Sequence, residues 1–154
     1  MGLVLTAVAC LSVACGSSTT ASSTTTTVSI PVGWKTYTLG RMALSVPRTW
    51  IVKHDTGCPD TTAPGTLLLG VPPVLVQCAD FAYPATVVTV SQLGSATSTT
   101  ARPVGQTPVT VNGIPVYPEF GSPDSLHWSV PSLDVQIIGT GPDSGRVLHT
   151  LHRA

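Results

Sequence analysis

Few side chains in this sequence are suited to acid–base or nucleophilic chemistry. Glu119 is the sole glutamate among 154 residues, and there are four histidines. His54 and Asp55 form a candidate pair for orienting a Ser or Thr nucleophile, but neighbouring residues of a strand point to opposite faces. We favour the alternative, a polar end to the strand that follows Trp50. Nucleophile elbows, phosphate-binding loops, dinucleotide glycine patterns and zinc-protease helices are not found. We therefore predict no catalytic residues and no cofactor.

Two histidines near the end of the sequence have the spacing of a metal-binding pair. His149 and His152 are three residues apart in a segment expected to be helical, so that both would lie on one face. Leu148 and Leu151 already mark the buried stripe of that helix, which favours a solvated role for the histidines. We therefore predict no metal ligands.

A short apolar segment ends in a cysteine. Residues 3–14 are uncharged and almost all apolar or small. This run of about 12 residues is shorter than the roughly 20 that span a bilayer, and it fits the apolar part of a secretory signal peptide. The run leads into the sequence LSVAC at residues 11–15, which resembles the lipobox of bacterial lipoproteins. The resemblance implies a signal peptide at 1–14 and lipid attachment to Cys15.

Other modifications of this N-terminus remain open. Cys10 follows three small or apolar residues and is a second candidate for lipidation, but it would leave an apolar region of only seven residues, 3–9. Residues 1–6, MGLVLT, also match the pattern for N-myristoylation. A soluble product after complete cleavage is the third alternative. We favour lipidation of Cys15, because an apolar run, small residues, a Cys and a polar segment follow one another in order.

Composition predicts a tether and excludes one class of partner. Residues 15–29 contain eleven Ser or Thr and no charge, too little apolar surface to offset the entropy of ordering. We expect a flexible tether at 15–31, with an r.m.s. span of about 20 Å over some 15 residues. Seven basic and seven acidic residues leave no net charge. Nucleic acid is therefore excluded as a partner.

Two cysteines follow the tether. Cys58 and Cys78 form an even remainder in an exported chain, which predicts a disulfide. Closing a loop of about 21 residues would stabilise the fold by roughly 3 kcal/mol. A zinc site is the alternative, but His54 is the only helper near Cys58, and Cys78 has no His or Cys close by.

Residues 32–154 are expected to form one strand-rich domain. Val, Ile, Thr, Tyr and Trp come in short runs separated by Gly and Pro, which is typical of strands and turns. Asn112-Gly113 is the clearest hairpin turn. We predict an α+β, strand-dominated fold, an antiparallel sheet with a short helix at 144–152 packed on it through Val147, Leu148 and Leu151. The predicted strands are 34–39, 42–46, 50–53, 66–70, 74–77, 86–93, 109–111, 114–116, 125–130 and 134–139.

Three tryptophans have two interpretations. Trp34, Trp50 and Trp128 would line a ligand groove or fill the core. The core is favoured, because the chain has only eight aromatic residues of the Trp, Tyr and Phe types.

The opening strands contain Trp34, Tyr37, Gly40, Val52 and a Val-Pro-x-x-Trp run at 46–50. This pattern resembles Mog1/PsbP-like domains and small actinobacterial lipoproteins. The spacing of Cys58, Leu69-Gly70 and Cys78 is also similar to uncharacterised actinobacterial secreted modules. The resemblance implies an accessory or partner-binding role and supplies no catalytic residues.

Together these features predict a lipid-anchored, extracytoplasmic binding module. We expect it to be held to the membrane by lipid on Cys15, and to bind an envelope protein, a cell-wall component or a small ligand. A small cell-envelope hydrolase without a recognisable motif is the alternative. Converging titratable groups in a cleft would distinguish the hydrolase.

Overall fold

The computed structural model describes residues 28–55, 58–59, 62–71, 85–93, 106–119 and 125–154. Within these ranges the chain forms strands, one short 3-10 turn at Pro131–Leu133 and one α-helix. The protein is therefore strand-dominated, as predicted. The elements are β1 Trp34–Leu39, β2 Met42–Pro47, β3 Ile51–His54, β4 Gly65–Leu69, β5 Thr86–Gln92, β6 Val109–Val111, β7 Ile114–Glu119, β8 Ser125–Val130, β9 Val135–Thr140, α1 Ser144–Leu148 and β10 His152–Arg153.

A three-stranded antiparallel sheet joins the first strands of the domain to the last. β1 and β2 form the predicted hairpin, with Thr36 opposite Ser45. The turn between them uses a positive φ of 57° at Gly40, which costs glycine little. β10 pairs with the free side of β2, with His152 opposite Ala43. The strand order is therefore β1-β2-β10, and β2 is buried between two neighbours.

A seven-stranded sheet has the order β3-β4-β5-β9-β8-β7-β6. β3, β4 and β5 are parallel, whereas all the other pairs are antiparallel. The prediction of an antiparallel sheet is therefore wrong for this third of the fold. Residue patterning within a strand reports which side is buried, and it does not report the direction of the neighbour. Ten residues, 55–64, connect β3 to β4, and sixteen residues, 70–85, connect β4 to β5. Parallel neighbours need such long connections, whereas antiparallel neighbours can be joined by two residues.

The core lies between the inner face of the seven-stranded sheet, β2 and α1. Strand alternation places Leu67, Val88 and Ile137 on this inner face, and all three are fully buried. Val147 and Leu148 of α1 are also fully buried, and Leu151 joins them just beyond the helix. These are the three side chains predicted to pack the helix onto the sheet.

The helix is shorter than predicted. It ends at Leu148, and the predicted residues 149–152 leave it to form a turn and the start of β10. The Thr150 hydroxyl explains the ending. Its Oγ1 lies 2.7 Å from the carbonyl of Val147 and accepts a hydrogen bond of 2.8 Å from the amide of Ser45. The Thr150 hydroxyl thus accepts from the Ser45 amide of β2 in place of a backbone carbonyl. The chain turns at this residue from α1 towards the sheet.

The predicted turn at Asn112-Gly113 is confirmed. It joins β6 to β7, and both residues have positive φ, 48° and 77°, as a two-residue type I′ turn requires. The Asn112 side chain also holds the end of the chain. Its Nδ2 donates hydrogen bonds to the carbonyls of His149 and Leu151 at 2.8 and 2.9 Å.

Candidate functional site

A band of polar side chains lies on the outer face of the seven-stranded sheet. In β8, Trp128 faces inward, so His127 and Ser129 face outward by alternation. Tyr117 of β7 lies opposite Ser129, and Glu119 lies opposite His127. Gln136 of β9 lies opposite Ser129 on the other side. We call these five residues the Glu119 band.

The band is held by a hydrogen bond that crosses one strand. Gln136 Nε2 donates to Glu119 Oε2 at 3.1 Å. The two residues belong to β9 and β7, which are separated by β8, so the bond passes over β8 between His127 and Ser129. Directly opposed residues of antiparallel strands have Cβ atoms about 4.5–5.5 Å apart. The Glu119 carboxylate and the His127 imidazole are therefore neighbours.

Partial burial strengthens the polar contacts of this band. Glu119, His127 and Gln136 are half-buried, whereas Tyr117 and Ser129 are 8% and 6% exposed. Hydrogen bonds are stronger where water is partly excluded. The backbone of His127 is paired with β7 and β9, but its imidazole makes no hydrogen bond to another described residue. Its ring nitrogens can therefore meet a ligand beside a carboxylate that is already fixed in place.

The chemistry of the band is that of hydrogen-bonded recognition. It offers a carboxylate acceptor, an imidazole and an amide oxygen on one surface, whereas Tyr117 and Ser129 are largely buried. Glu and His are also the side chains used for general acid–base catalysis. A nucleophile activated by a base needs a hydrogen bond between the two. No hydrogen bond between described residues joins a Ser or Thr hydroxyl to a His ring.

Sequence reasoning did not find this band, although a signal was present. Ser125, His127 and Ser129 alternate with apolar residues, and Tyr117 and Glu119 have the same period of two. Polar residues at that period predict the open face of a strand. The pairing of β7 with β8, which brings the two sets together, is seen only in the fold.

His54 and Asp55 do not form a catalytic pair in the described structure. His54 is the exposed last residue of β3. Asp55 follows with a φ of 57°, and its amide donates to the carbonyl of Leu69 at 2.9 Å. The Asp55 backbone thus continues the contact between β3 and β4. This agrees with a polar strand end.

His149 and His152 are not on one helical face. His149 caps α1 and its ring meets Trp128 edge-on, with 6.5 Å between centroids. His152 belongs to β10, and its Nδ1 lies 2.8 Å from the carbonyl of Thr150. The helical spacing that suggested a metal pair is therefore wrong. In the described ranges, no three His, Cys, Asp or Glu side chains are grouped as metal ligands.

Two of the three tryptophans belong to the core. Trp50 and Trp128 are 7% and 9% exposed and pack with the other core residues. The absence of a side chain at Gly65 makes room for the Trp50 indole, which occupies the space that a Cβ would take. Trp34 is half-buried and lies under the Arg146 guanidinium, 5.5 Å from its ring centroid. Of the three, Trp34 alone remains available at the surface.

The predicted sites at cysteines are only partly within the described residues. Cys58 is disulfide-bonded. Cys10, Cys15 and Cys78 lie outside the described residues, so the pairing of Cys58 with Cys78 and the lipidation of Cys15 stay predictions. The Lys53 Nζ lies 3.5 Å from the Cys58 carbonyl, which places Cys58 beside β3.

Comparisons with known proteins add no relative. The chain matches no protein-family model, no curated protein and no solved structure. Among the described residues, no helix has the length and apolar character to cross a bilayer.

Proposed function

We propose that this protein is a membrane-anchored extracytoplasmic lipoprotein that acts as a non-catalytic binding or accessory module. Residues 1–14 are the signal peptide, Cys15 carries the lipid, and residues 15–31 tether the domain at 32–154. The resemblance of the opening hairpin to Mog1/PsbP-like domains supports an accessory role. No cofactor or nucleic acid takes part.

The observation that carries the anchor is the order of features before β1. An apolar run, the small residues of 11–15, Cys15 and an uncharged Ser/Thr-rich segment precede Trp34, where β1 begins. One acyl chain gives marginal membrane binding, whereas two or more give stable anchoring. Lipid on Cys15 therefore supplies affinity for the membrane. The uncharged polar segment at 15–27 has too little apolar surface to supply it.

Detergent phase partitioning of Cys15→Ser tests the anchor. We expect the unchanged chain to enter the detergent phase and to incorporate labelled fatty acid. Cys15→Ser is expected to lose the label and to remain unprocessed or enter the aqueous phase. Cys10→Ser is the matched control and should behave as the unchanged chain. Loss of label in Cys10→Ser alone would move the lipid to Cys10, and label retained by Cys15→Ser would refute Cys15 as the site of the anchor.

The observation that carries the binding role is the Glu119 band. A carboxylate fixed by Gln136 lies beside a His127 ring that has no described partner. Such an arrangement favours a partner that offers hydrogen-bond donors to Glu119. His127 can meet a donor or an acceptor, because a neutral imidazole has one nitrogen of each kind. An envelope protein, a cell-wall component or a small polar ligand has this chemistry.

Site-specific photocrosslinking tests the band as a binding surface. A photoreactive residue in place of His127 is expected to give a discrete adduct in intact cells. The same residue in place of Val109, which is 45% exposed on edge strand β6, is the control and should give none. Glu119→Gln should weaken the His127 adduct, because the acceptor charge is lost while the size is kept. Equal adducts from both positions would refute the band as the binding surface.

A further inference from the structure

The chain enters the domain through a tight turn that exposes a valine completely. The Trp34 amide donates to the Pro31 carbonyl at 3.1 Å, which closes a four-residue turn. Gly33 has a φ of 81°, as the third residue of a type II turn requires. Val32 is therefore the second residue, at the tip, and its exposure is 102%.

This tip is fixed rather than loose. The Gly33 carbonyl accepts a hydrogen bond of 3.0 Å from the Arg48 amide, and β1 begins at the next residue, Trp34. The backbone is thus held on both sides, and Val32 has no inward position to take. Ile30, two residues earlier, is 41% exposed. Of four exposed large hydrophobic residues in the described ranges, two are in this short stretch.

The surroundings of the tip have the composition of a surface that meets lipid. Trp34 is half-buried beneath the Arg146 guanidinium. Lys35 and Arg48 are exposed next to the turn in sequence and by hydrogen bonding. Aromatic rings favour the interface between headgroups and acyl chains. Each Lys or Arg near an anionic leaflet contributes about 1 kcal/mol of attraction.

The tether brings this surface to the membrane. Twelve residues, 16–27, separate Cys15 from the first described residue. A flexible chain of that length has an r.m.s. span of about 20 Å. A tether this short raises the local concentration of the attached group into the millimolar range. Because the proposed tether, 15–31, leads directly into Val32, the turn is among the parts of the domain held nearest to the lipid.

We propose that residues 30–35, together with Arg48, form a surface that docks onto an anionic lipid bilayer. Val32 enters the boundary of the acyl chains, and Lys35 and Arg48 contact lipid phosphates. This inference rests on the proposed anchor at Cys15. It adds an orientation, in which the turn faces the bilayer.

Quenching of Trp34 fluorescence by brominated lipid tests the docking. The lipidated protein, recovered in detergent, is reconstituted into vesicles of phosphatidylcholine with about a third phosphatidylglycerol, with and without bromine on the acyl chains. Trp34→Phe identifies the signal of Trp34, since Trp50 and Trp128 are only 7% and 9% exposed. We expect quenching in the unchanged protein and none in Trp34→Phe.

Matched variants identify the cause of the quenching. Val32→Asp should lower the docked fraction about tenfold, because the burial of one Val side chain is lost. Val109→Asp introduces the same charge at another exposed valine and should leave the quenching unchanged. Replacing phosphatidylglycerol with phosphatidylcholine should reduce it.

Flotation of the same vesicles separates the two proposals. Protein that floats without quenching of Trp34 would overturn the docking surface and leave the anchor intact. Protein that does not float would overturn the anchor and with it this docking. Equal loss of quenching in Val32→Asp and Val109→Asp would also overturn the docking surface, because the effect would then be one of net charge.

Discussion

The Asn112 side chain is predicted to hold the end of the chain onto the β6–β7 hairpin. Its amide donates to the carbonyls of His149 and Leu151, and its φ of 48° is one that Asn, Asp and Gly tolerate. Asn112→Asp keeps the size and the turn preference but directs a carboxylate at two carbonyl oxygens. Asn112→Gly removes both hydrogen bonds, relieves the positive φ and adds no charge.

The magnitude follows from these two contacts. A typical hydrogen bond contributes about 0.5–1.5 kcal/mol net. One carbonyl is at an exposed site and the other is part-buried, so water compensates for part of the loss. We expect Asn112→Gly to lower the free energy of unfolding by about 1 kcal/mol. Asn112→Asp should lower it by about 2 kcal/mol, since repulsion adds to the loss.

Thermal unfolding followed by near-UV circular dichroism measures both effects. An unfolding entropy of about 2.1 cal/mol/K per residue converts 2 kcal/mol into a midpoint shift of roughly 8 °C for a domain of this size. The change for Asn112→Gly should be about half as large. If Asn112→Asp unfolded within about 1 °C of the unchanged protein, the two hydrogen bonds from Asn112 to the C-terminal segment would not contribute to stability.

Three further changes test other parts of the fold. Thr150→Val leaves a buried β2 amide without its acceptor and should cost about 1–3 kcal/mol in denaturant unfolding, whereas Thr150→Ser should cost less than half of that. Gly141→Ala is expected to lower the free energy of unfolding by about 3 kcal/mol or to prevent folding, because φ is 86° and the added Cβ overlaps the backbone before β5. Gly145→Ala in α1 is the control. The nearest atom to its added Cβ is 3.9 Å away, so it should be neutral or stabilising by up to about 1 kcal/mol. Reduction of a Cys58–Cys78 bridge should lower stability by about 3 kcal/mol, and two free thiols in non-reduced protein would contradict the bridge.

Most of the described strands were predictable from the sequence, but their partners were not. The predicted strand at 74–77 lies outside the described residues, and β10 begins at His152, which was predicted to be helical. The Asn112-Gly113 turn specifies a hairpin locally, and the fold contains it. The parallel pairing of β3 with β4 depends on a connection that carries no local signal of direction. The end of α1 was missed for a similar reason. Val147, Leu148 and Leu151 are buried at helical spacing, while the residue that ends the helix acts through a contact with β2.

In the candidate site, too, the strand residues could be predicted from the sequence and the contacts between strands could not. Polar alternation in β7 and β8 is visible in the sequence and predicts that Glu119 and His127 lie on a strand face. Their proximity requires the β7–β8 register, in which the two residues are directly opposed. The contact with Gln136 requires a third strand as well. Sequence alone therefore identifies the members of the band one by one and does not assemble them.

The position of β2 between β1 and β10 makes this sheet depend on contacts between distant parts of the sequence. Ser45 meets Thr150 across 105 residues of sequence, and the Ala154 amide donates to the Arg41 carbonyl at 3.0 Å. The β1–β2 hairpin cannot complete this sheet until residues 150–154 pack against it. Until then the hairpin has an open edge, and a two-stranded ribbon is at best marginally stable in water. The three-stranded sheet is therefore expected to form late in folding, because it needs contacts between segments that are far apart in sequence.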